Sequence, residues 1–312
     1  MMSTHQWIED GGSRRTLRAS LARRELVRLK KGFFMTDLDA SAPILHRRRV
    51  EAAAESIGPN TLFSHSSAGV IHGLPLLSGR LGAVEVIRMT GHGEVTETLH
   101  AYAADVDPAD RGEIDGLPVT SLGRTVADLI RRLPFAEAVM VADAALARQV
   151  SREELRSRTA TGRGCRLAAR VLDFADERAE SPGESLSRVR MKQDGLPRPD
   201  LQVDMQDASG RFLGRVDFLW RAYRLVGEFD GAVKYGELVP VGQTPATVIV
   251  AEKRRELALR NMGYQVVRWT WGDLWQPEFT QVLRRAMRAA DTGATDVPRQ
   301  GNRPTPANAP SA

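Results

Sequence analysis

The sequence predicts an α+β multidomain protein, and three observations carry that prediction. A basic helix followed by a short hairpin opens the chain. A middle section mixes short strands with helices. From about residue 180 the pattern runs helix–strand–strand–strand–helix–strand, an αβββαβ order. With 312 residues the chain is long enough for two or three domains, and 42% hydrophobic residues suffice to build their cores. The expected divisions are 1–42, 43–179 and 180–291. A tail over 292–312, rich in Pro, Ala, Asn and Thr and without apolar periodicity, is expected to be disordered.

Charge and composition narrow the function classes. A formal net charge of +5 favours a polyanionic partner, nucleic acid first. Cys165 is the only cysteine, which excludes a disulfide framework and a cysteine zinc site. The opening MMSTHQWIEDGG has no apolar signal core, and no run reaches membrane-spanning length. A cytoplasmic protein with no membrane partner is the expectation.

Taken in order, residues Ser13 to Met35 begin with Ser13 as a helix N-cap. Leu17 and Leu21, four apart, make an apolar stripe, and Arg14, Arg15, Arg18, Arg23 and Arg24 occupy the other faces. Glu25 to Leu29 alternates like a strand, Lys30-Lys31-Gly32 turns, and Phe33 to Met35 returns. This is the outline of a winged helix. Its helix would present Arg14, Arg15 and Arg18 to DNA, and its wing would bring Lys30 and Lys31 to phosphate. His5 to Asp10 leaves room for only a short first helix.

In the middle section, helices are expected over Arg47–Ile57, from Ser64 to Ile71, from Arg124 toward Arg132 behind a Ser121 cap, over Phe135–Arg148, and over Glu153–Asp176 with a break at Gly162–Gly164. Strands are expected over Ala83–Met89, Leu99–Val106 and Gly116–Thr120. His65, His72, His92 and His100 lack metal-ligand spacing, and no acid stands beside Ser64, His65 and Ser66 to orient a base.

The C-terminal section carries the chemistry. Ser181-Pro182-Gly183-Glu184 reads as a capping box opening a helix. Strands follow over Leu201–Met205, Phe212–Trp220 and Arg224–Asp230, then a helix over Val248–Met262 and a strand over Tyr264–Thr270. Alternation along a strand points Glu228 and Asp230 to one face, roughly 6–7 Å apart. Asp217 lies on the neighbouring strand. Carboxylates so placed repel one another, and a divalent cation such as Mg²⁺ removes that cost. Arginines would remove it as well, with Arg215, Arg221 and Arg224 the nearest in sequence. Trp269 and Trp271 read as packing residues.

These residues resemble the PD-(D/E)XK nuclease superfamily, and within it the very-short-patch-repair-like endonuclease domains. The likeness rests on Glu184 in SPGESLSRVRM, Asp217 in RVDFLW, Glu228 and Asp230 in EFDG, and the closing segment Glu252 to Leu274, over roughly residues 180–290. It implies a restriction-endonuclease-like αβββαβ core that hydrolyses DNA phosphodiesters with Mg²⁺ (or Mn²⁺). Asp217 and Glu228 would hold the ion, with Asp230 as a further ligand. Glu184 would orient a metal-bound water. Arg188, Arg190, Arg254 and Arg255 would grip flanking phosphates. One position departs: Asp230 stands where the superfamily usually has Lys. Lys253 and Lys234 are the candidates to supply that charge.

The earlier sections resemble the AbiEi-type antitoxin family. The matching residues are Gly12-Ser13, Glu25-Leu26-Val27-Arg28 and Lys31-Gly32-Phe33-Phe34, then more loosely FSHSSAGVIHGLP and PVTSLGRTVADL. That likeness implies DNA binding and a toxin–antitoxin operon partner. Two expectations follow. The first is a DNA-binding protein with a Mg-dependent endonuclease domain. The alternative is an AbiEi-like antitoxin or transcriptional regulator whose nuclease-like domain is catalytically inactive.

Overall fold

A computed structural model describes residues 1–36, 38–231 and 245–293, with backbone alone for 245–249 and 290–293. Helices and three sheets make an α+β protein of two compact units, Met1–Val189 and Arg190–Ala312. Among the described residues no helix is long and apolar enough to cross a membrane.

The first unit opens with β1 (Met2–Ser3), α1 (Thr4–Glu9), α2 (Arg14–Ala22), β2 (Val27–Lys30) and β3 (Phe33–Met35). Ser13 caps α2 as its sequence predicts, in a reciprocal box with Thr16. Leu17, Leu26 and Phe34 are buried together, with Trp7 and Leu21 against them. The strands pair in the order β1-β3-β2. β1 is too short to show as alternation and was not expected.

A six-stranded sheet follows. Its elements are α3 (Ala42–Ala54), β4 (Thr61–Phe63), α4 (His65–Ile71), β5 (Val84–Arg88), β6 (Glu94–Val95), β7 (Leu99–Ala103), β8 (Arg111–Ile114) and β9 (Leu117–Thr120), in the sheet order β6-β7-β5-β4-β9-β8. α3 starts earlier than its sequence pattern suggested, because Pro43 fits its first turn, where its missing N–H costs nothing, and it ends at Ala54. β4, which the sequence pattern did not separate from the following helix, is an interior strand buried at all three positions.

Helices complete the unit: α5 (Leu122–Ile130), α6 (Phe135–Ala147), α7 (Arg152–Thr159) and α8 (Cys165–Phe174), with α9 (Pro182–Gln193) crossing the division between units. Ser121 caps α5 through a bond from the Arg124 N–H. Val126, Ile130, Val139, Leu155, Val171 and Val189 form part of one apolar core. An ion pair is sealed within this unit: Arg188 donates to Asp143 at 2.8 Å, and the two side chains are 5% and 1% exposed. Burial still pushes the Asp143 carboxyl up to about 6, against the pull of Arg188.

The second unit contains β10 (Asp200–Gln206), β11 (Phe212–Trp220), β12 (Leu225–Asp230), α10 (Pro245–Asn261), β13 (Gln265–Thr270), α11 (Trp271–Leu274) and α12 (Phe279–Gly293). The sheet order is β10-β11-β12-β13, antiparallel except for the parallel β12–β13 pair. Phe218 packs its ring against Trp220 and Trp269, and Trp269 packs on Phe279 of α12. Gly227 lies under these rings. A Cβ there would meet Trp269 at 2.5 Å and Trp220 at 3.0 Å. The tail expected from Thr292 lies outside the described residues beyond Gly293.

Gly227→Ala should therefore cost about 1–3 kcal/mol, because indole rings and paired backbone cannot yield cheaply. Urea denaturation measures this. An unchanged midpoint would mean that the rings do not close over this strand.

Candidate functional site

The antiparallel ladder runs from Trp220↔Leu225 to Phe218↔Gly227, and Asp217 and Glu228 are the next residues beyond its end on the two strands. The Phe229 N–H donates to Asp217 Oδ2 at 2.8 Å, which ties the acid to β12. The parallel register sets Glu228 beside Arg268 and Asp230 beside Thr270. Alternation then gives Asp217, Glu228, Asp230 and Arg268 one common face. All three acids are half-buried.

Glu228, only 12% exposed, has both oxygens engaged. Oε1 accepts from Arg255 Nη2 at 2.6 Å, and Oε2 accepts from Arg268 Nε at 2.8 Å. Each guanidinium has further partners on α10. Arg255 donates to Glu252 at 2.8 and 3.0 Å. Arg268 donates to Glu252 at 2.5 Å and also to Glu256. Arg260 pairs with Glu256 at 2.6 Å. Burial works against the charge on Arg255 and Arg268, but the surrounding glutamates outweigh it and hold both above the usual arginine value. The bond from Arg255 holds the Glu252 carboxyl below the usual glutamate range, and the bond from Arg268 does the same for Glu256.

Asp217 is also approached by Gln202, whose Nε2 lies 3.5 Å from Oδ1. Gln202 has φ +51° in β10, between the ladder pairs Leu201↔Phe218 and Val203↔Val216. A left-handed residue other than Gly inside a strand is strained, and such strain gathers at functional positions. Nothing in residue type marks Gln202, so sequence reasoning missed it. Arg268 was missed too, because its partner lies 40 residues away.

The expected site residues separate in the structure. Asp217, Glu228 and Asp230 share a face, and Lys253 and Arg254 are exposed on α10. Arg255, expected to face phosphate, is turned to Glu228 and Glu252. Lys234 lies outside the described residues. Glu184 is 6% exposed and works as a helix cap: it accepts from Ser181 Oγ at 2.7 Å and from the Glu180 N–H at 3.0 Å. Arg188, expected at phosphate, is buried on Asp143 and the Phe174 carbonyl. Charge on a helix was read as surface, and its buried partner lies 45 residues earlier. Arg190 donates to the Leu274 and Gln276 carbonyls.

In the first unit Arg14, Arg15 and Arg18 are exposed on α2, and Lys31 is exposed at the β2–β3 turn. Lys30 instead reaches Ser56 Oγ at 2.9 Å and covers the Phe33 ring, and burial lowers its pKa. A cavity of about 290 Å³ is lined by His65, Ser66, Glu85, His100 and Arg132, among others. Ser64 Oγ lies 2.9 Å from His65 Nδ1 but is fully buried. Glu85 accepts from the Ser66 N–H, Tyr102 and Arg132, so the cluster forms no nucleophile–base–acid relay.

Among the described residues no three His, Cys, Asp or Glu side chains are grouped to hold a metal ion. The donor types at Asp217, Glu228 and Asp230 do fit a hard divalent cation, being carboxylates on one sheet face. Guanidinium groups occupy the Glu228 oxygens.

No protein-family model matches the chain. Two uncharacterized proteins of Mycobacterium tuberculosis, from strains CDC 1551 and H37Rv, are each 33% identical to it over 160 residues. The match covers 46% of this chain, and the chain spans 59% of the length of each of these curated relatives.

The network sets an acid limit on stability. The folded-state pKa values of Glu252 and Glu256 lie below their ordinary 4.5, so their contribution is complete above about pH 4.5 and is lost as pH falls through the folded values. The difference in melting temperature between wild type and Arg268→Gln should be constant above about pH 5 and shrink below about pH 4.5. A difference that holds to pH 3 would show that these ion pairs do not contribute.

Proposed function

We propose that the chain is a DNA-binding protein whose second unit is a PD-(D/E)XK-like endonuclease domain dependent on Mg²⁺ or Mn²⁺. The observation that carries this reading is the bond from the Phe229 N–H to Asp217 Oδ2, which ties Asp217 to the strand of Glu228 and Asp230. The αβββαβ order, running from α9 through β13, supports it. Asp217, Glu228 and Asp230 are the residues that would hold the ion. The ion, when bound, supplies a water of lowered pKa and offsets charge at a phosphodiester. Lys253 and Arg254, exposed on α10, offer positive charge to a neighbouring phosphate. Glu184 caps the start of α9, a role that can coexist with orienting a metal-bound water.

The first unit supports DNA binding by another route. α2 followed by the β2–β3 hairpin has the outline of a winged helix, with Arg14, Arg15, Arg18 and Lys31 exposed on it. A specific observation favours the alternative reading, an AbiEi-like antitoxin or regulator with an inactive nuclease-like domain. Glu228 already has two arginine partners, and Asp230 replaces the usual Lys.

Plasmid nicking with Mg²⁺ or Mn²⁺ tests the leading reading. Metal-dependent nicking is expected, reduced on the order of 100-fold or more by Asp217→Asn. Wild type that nicks nothing with either metal would leave the regulator. For the first unit, replacing Arg14, Arg15 and Arg18 together by Ala should weaken DNA binding and lower the salt slope by roughly 2–3. Titrations at several salt concentrations read this, and an unaltered slope would remove α2 from the interface.

A further inference from the structure

The arginines on Glu228 each have other carboxylate partners. Arg255 makes two bonds to Glu252 besides its bond to Glu228. Arg268 is bonded to both Glu252 and Glu256 besides Glu228. Were Glu228 to turn to another partner, neither guanidinium would be stranded. A buried charge left unpaired is the main cost of breaking such a pair, and here that cost is already covered by α10. The carboxylate is in the opposite position. At 12% exposure it needs a cation, and guanidinium is the one it has.

The geometry points to a displaceable counter-ion: Arg255 and Arg268 hold Glu228 as a resident cation pair, and a divalent metal loads the acid face only by exchanging for them. The inference rests on the reading of Asp217, Glu228 and Asp230 as a metal site. It adds that metal affinity is set by the arginines as well as by the acids. Two states of one ionic network differ only in which cation Glu228 faces, while Glu252 and Glu256 retain the guanidiniums in both. Resting protein then carries no metal at low concentration of the ion, and Glu228 stays paired without it.

The test is Mn²⁺ binding by calorimetry, checked by the paramagnetic resonance signal of free Mn²⁺, on the full chain. The variants are Arg268→Gln, Arg255→Gln and Glu228→Gln. Arg221→Gln serves as a control, since it loses the same charge from a side chain paired with Asp200. A guanidinium on a carboxylate shifts its proton affinity by about 1–3 units, so competition of the same kind predicts Mn²⁺ binding about tenfold or more tighter in Arg268→Gln or Arg255→Gln. Arg221→Gln should stay within about twofold of wild type, and Glu228→Gln should lose the site. The two arginine variants guard against one of them failing to fold, which a melting curve shows.

Arginine variants that bind Mn²⁺ no tighter than Arg221→Gln overturn the inference, even if wild type nicks DNA and the endonuclease reading stands. Tighter binding without nicking upholds the exchange and sinks the endonuclease. Absence of Mn²⁺ binding in every folded form removes both.

Discussion

The second unit depends on which way two strands face. β11 and β12 bury Phe218, Trp220 and Leu225 on one side, where Gly227 leaves space for the rings of Trp220 and Trp269. Alternation then leaves no choice for Asp217, Glu228 and Asp230: they belong to the opposite side. A slip of one residue would drive Glu228 beneath the indoles and lift Phe218 out of the core. The aromatic core and the acid face are thus one decision. The same register that packs the tryptophans sets the carboxylates on the other face.

What stabilises the acid face is a shared set of arginines. Isolated ion pairs on a surface contribute little, about 0–1 kcal/mol, and the exposed Arg260–Glu256 pair belongs with these. Glu228 differs because it is nearly buried, and its two arginines come from different elements, α10 and β13. Arginine suits this task better than lysine. Its planar fork serves two carboxylates at once, and Arg255 and Arg268 both do so. The helix, the parallel strand and the acid strand are tied together through one residue, and a change at Glu228 is felt by all three.

Much of this was legible from period and punctuation. Phe212–Trp220 reads as a strand because apolar residues recur at every second position, and it is β11 to the residue. Ser13 and Ser121 are caps where a hydroxyl precedes a helical pattern. β1, β4, β6 and β8 have two to four residues, too few for alternation to register. Long-range pairing was also hidden. Arg255 and Arg188 look like surface charge on amphipathic helices, and each faces an acid 27 or 45 residues away. Arginine pairing was one alternative for the acids, with Arg215, Arg221 and Arg224 nearest in the chain, but Glu228 bonds Arg255 and Arg268 instead. Chain proximity predicts partners within a helix or hairpin, and Glu228 draws its partners from across the sheet.

On the endonuclease reading, the arrangement also bears on how a polyanion could approach a face made of acids. Among the described residues, Asp217, Glu228, Asp230, Glu252 and Glu256 set five carboxylates against Arg255, Arg260 and Arg268. A phosphate backbone approaching Glu228 and Asp230 would meet repulsion from these carboxylates. A divalent cation held there would relieve that repulsion. The guanidiniums it displaces stay at hand on Glu252 and Glu256, and Lys253 and Arg254 add charge from the same helix. Metal binding and phosphate binding would then favour each other by the same free energy in both directions, because each relieves the field that opposes the other. If the exchange holds, the arginines make the charge of the acid face conditional on what is bound.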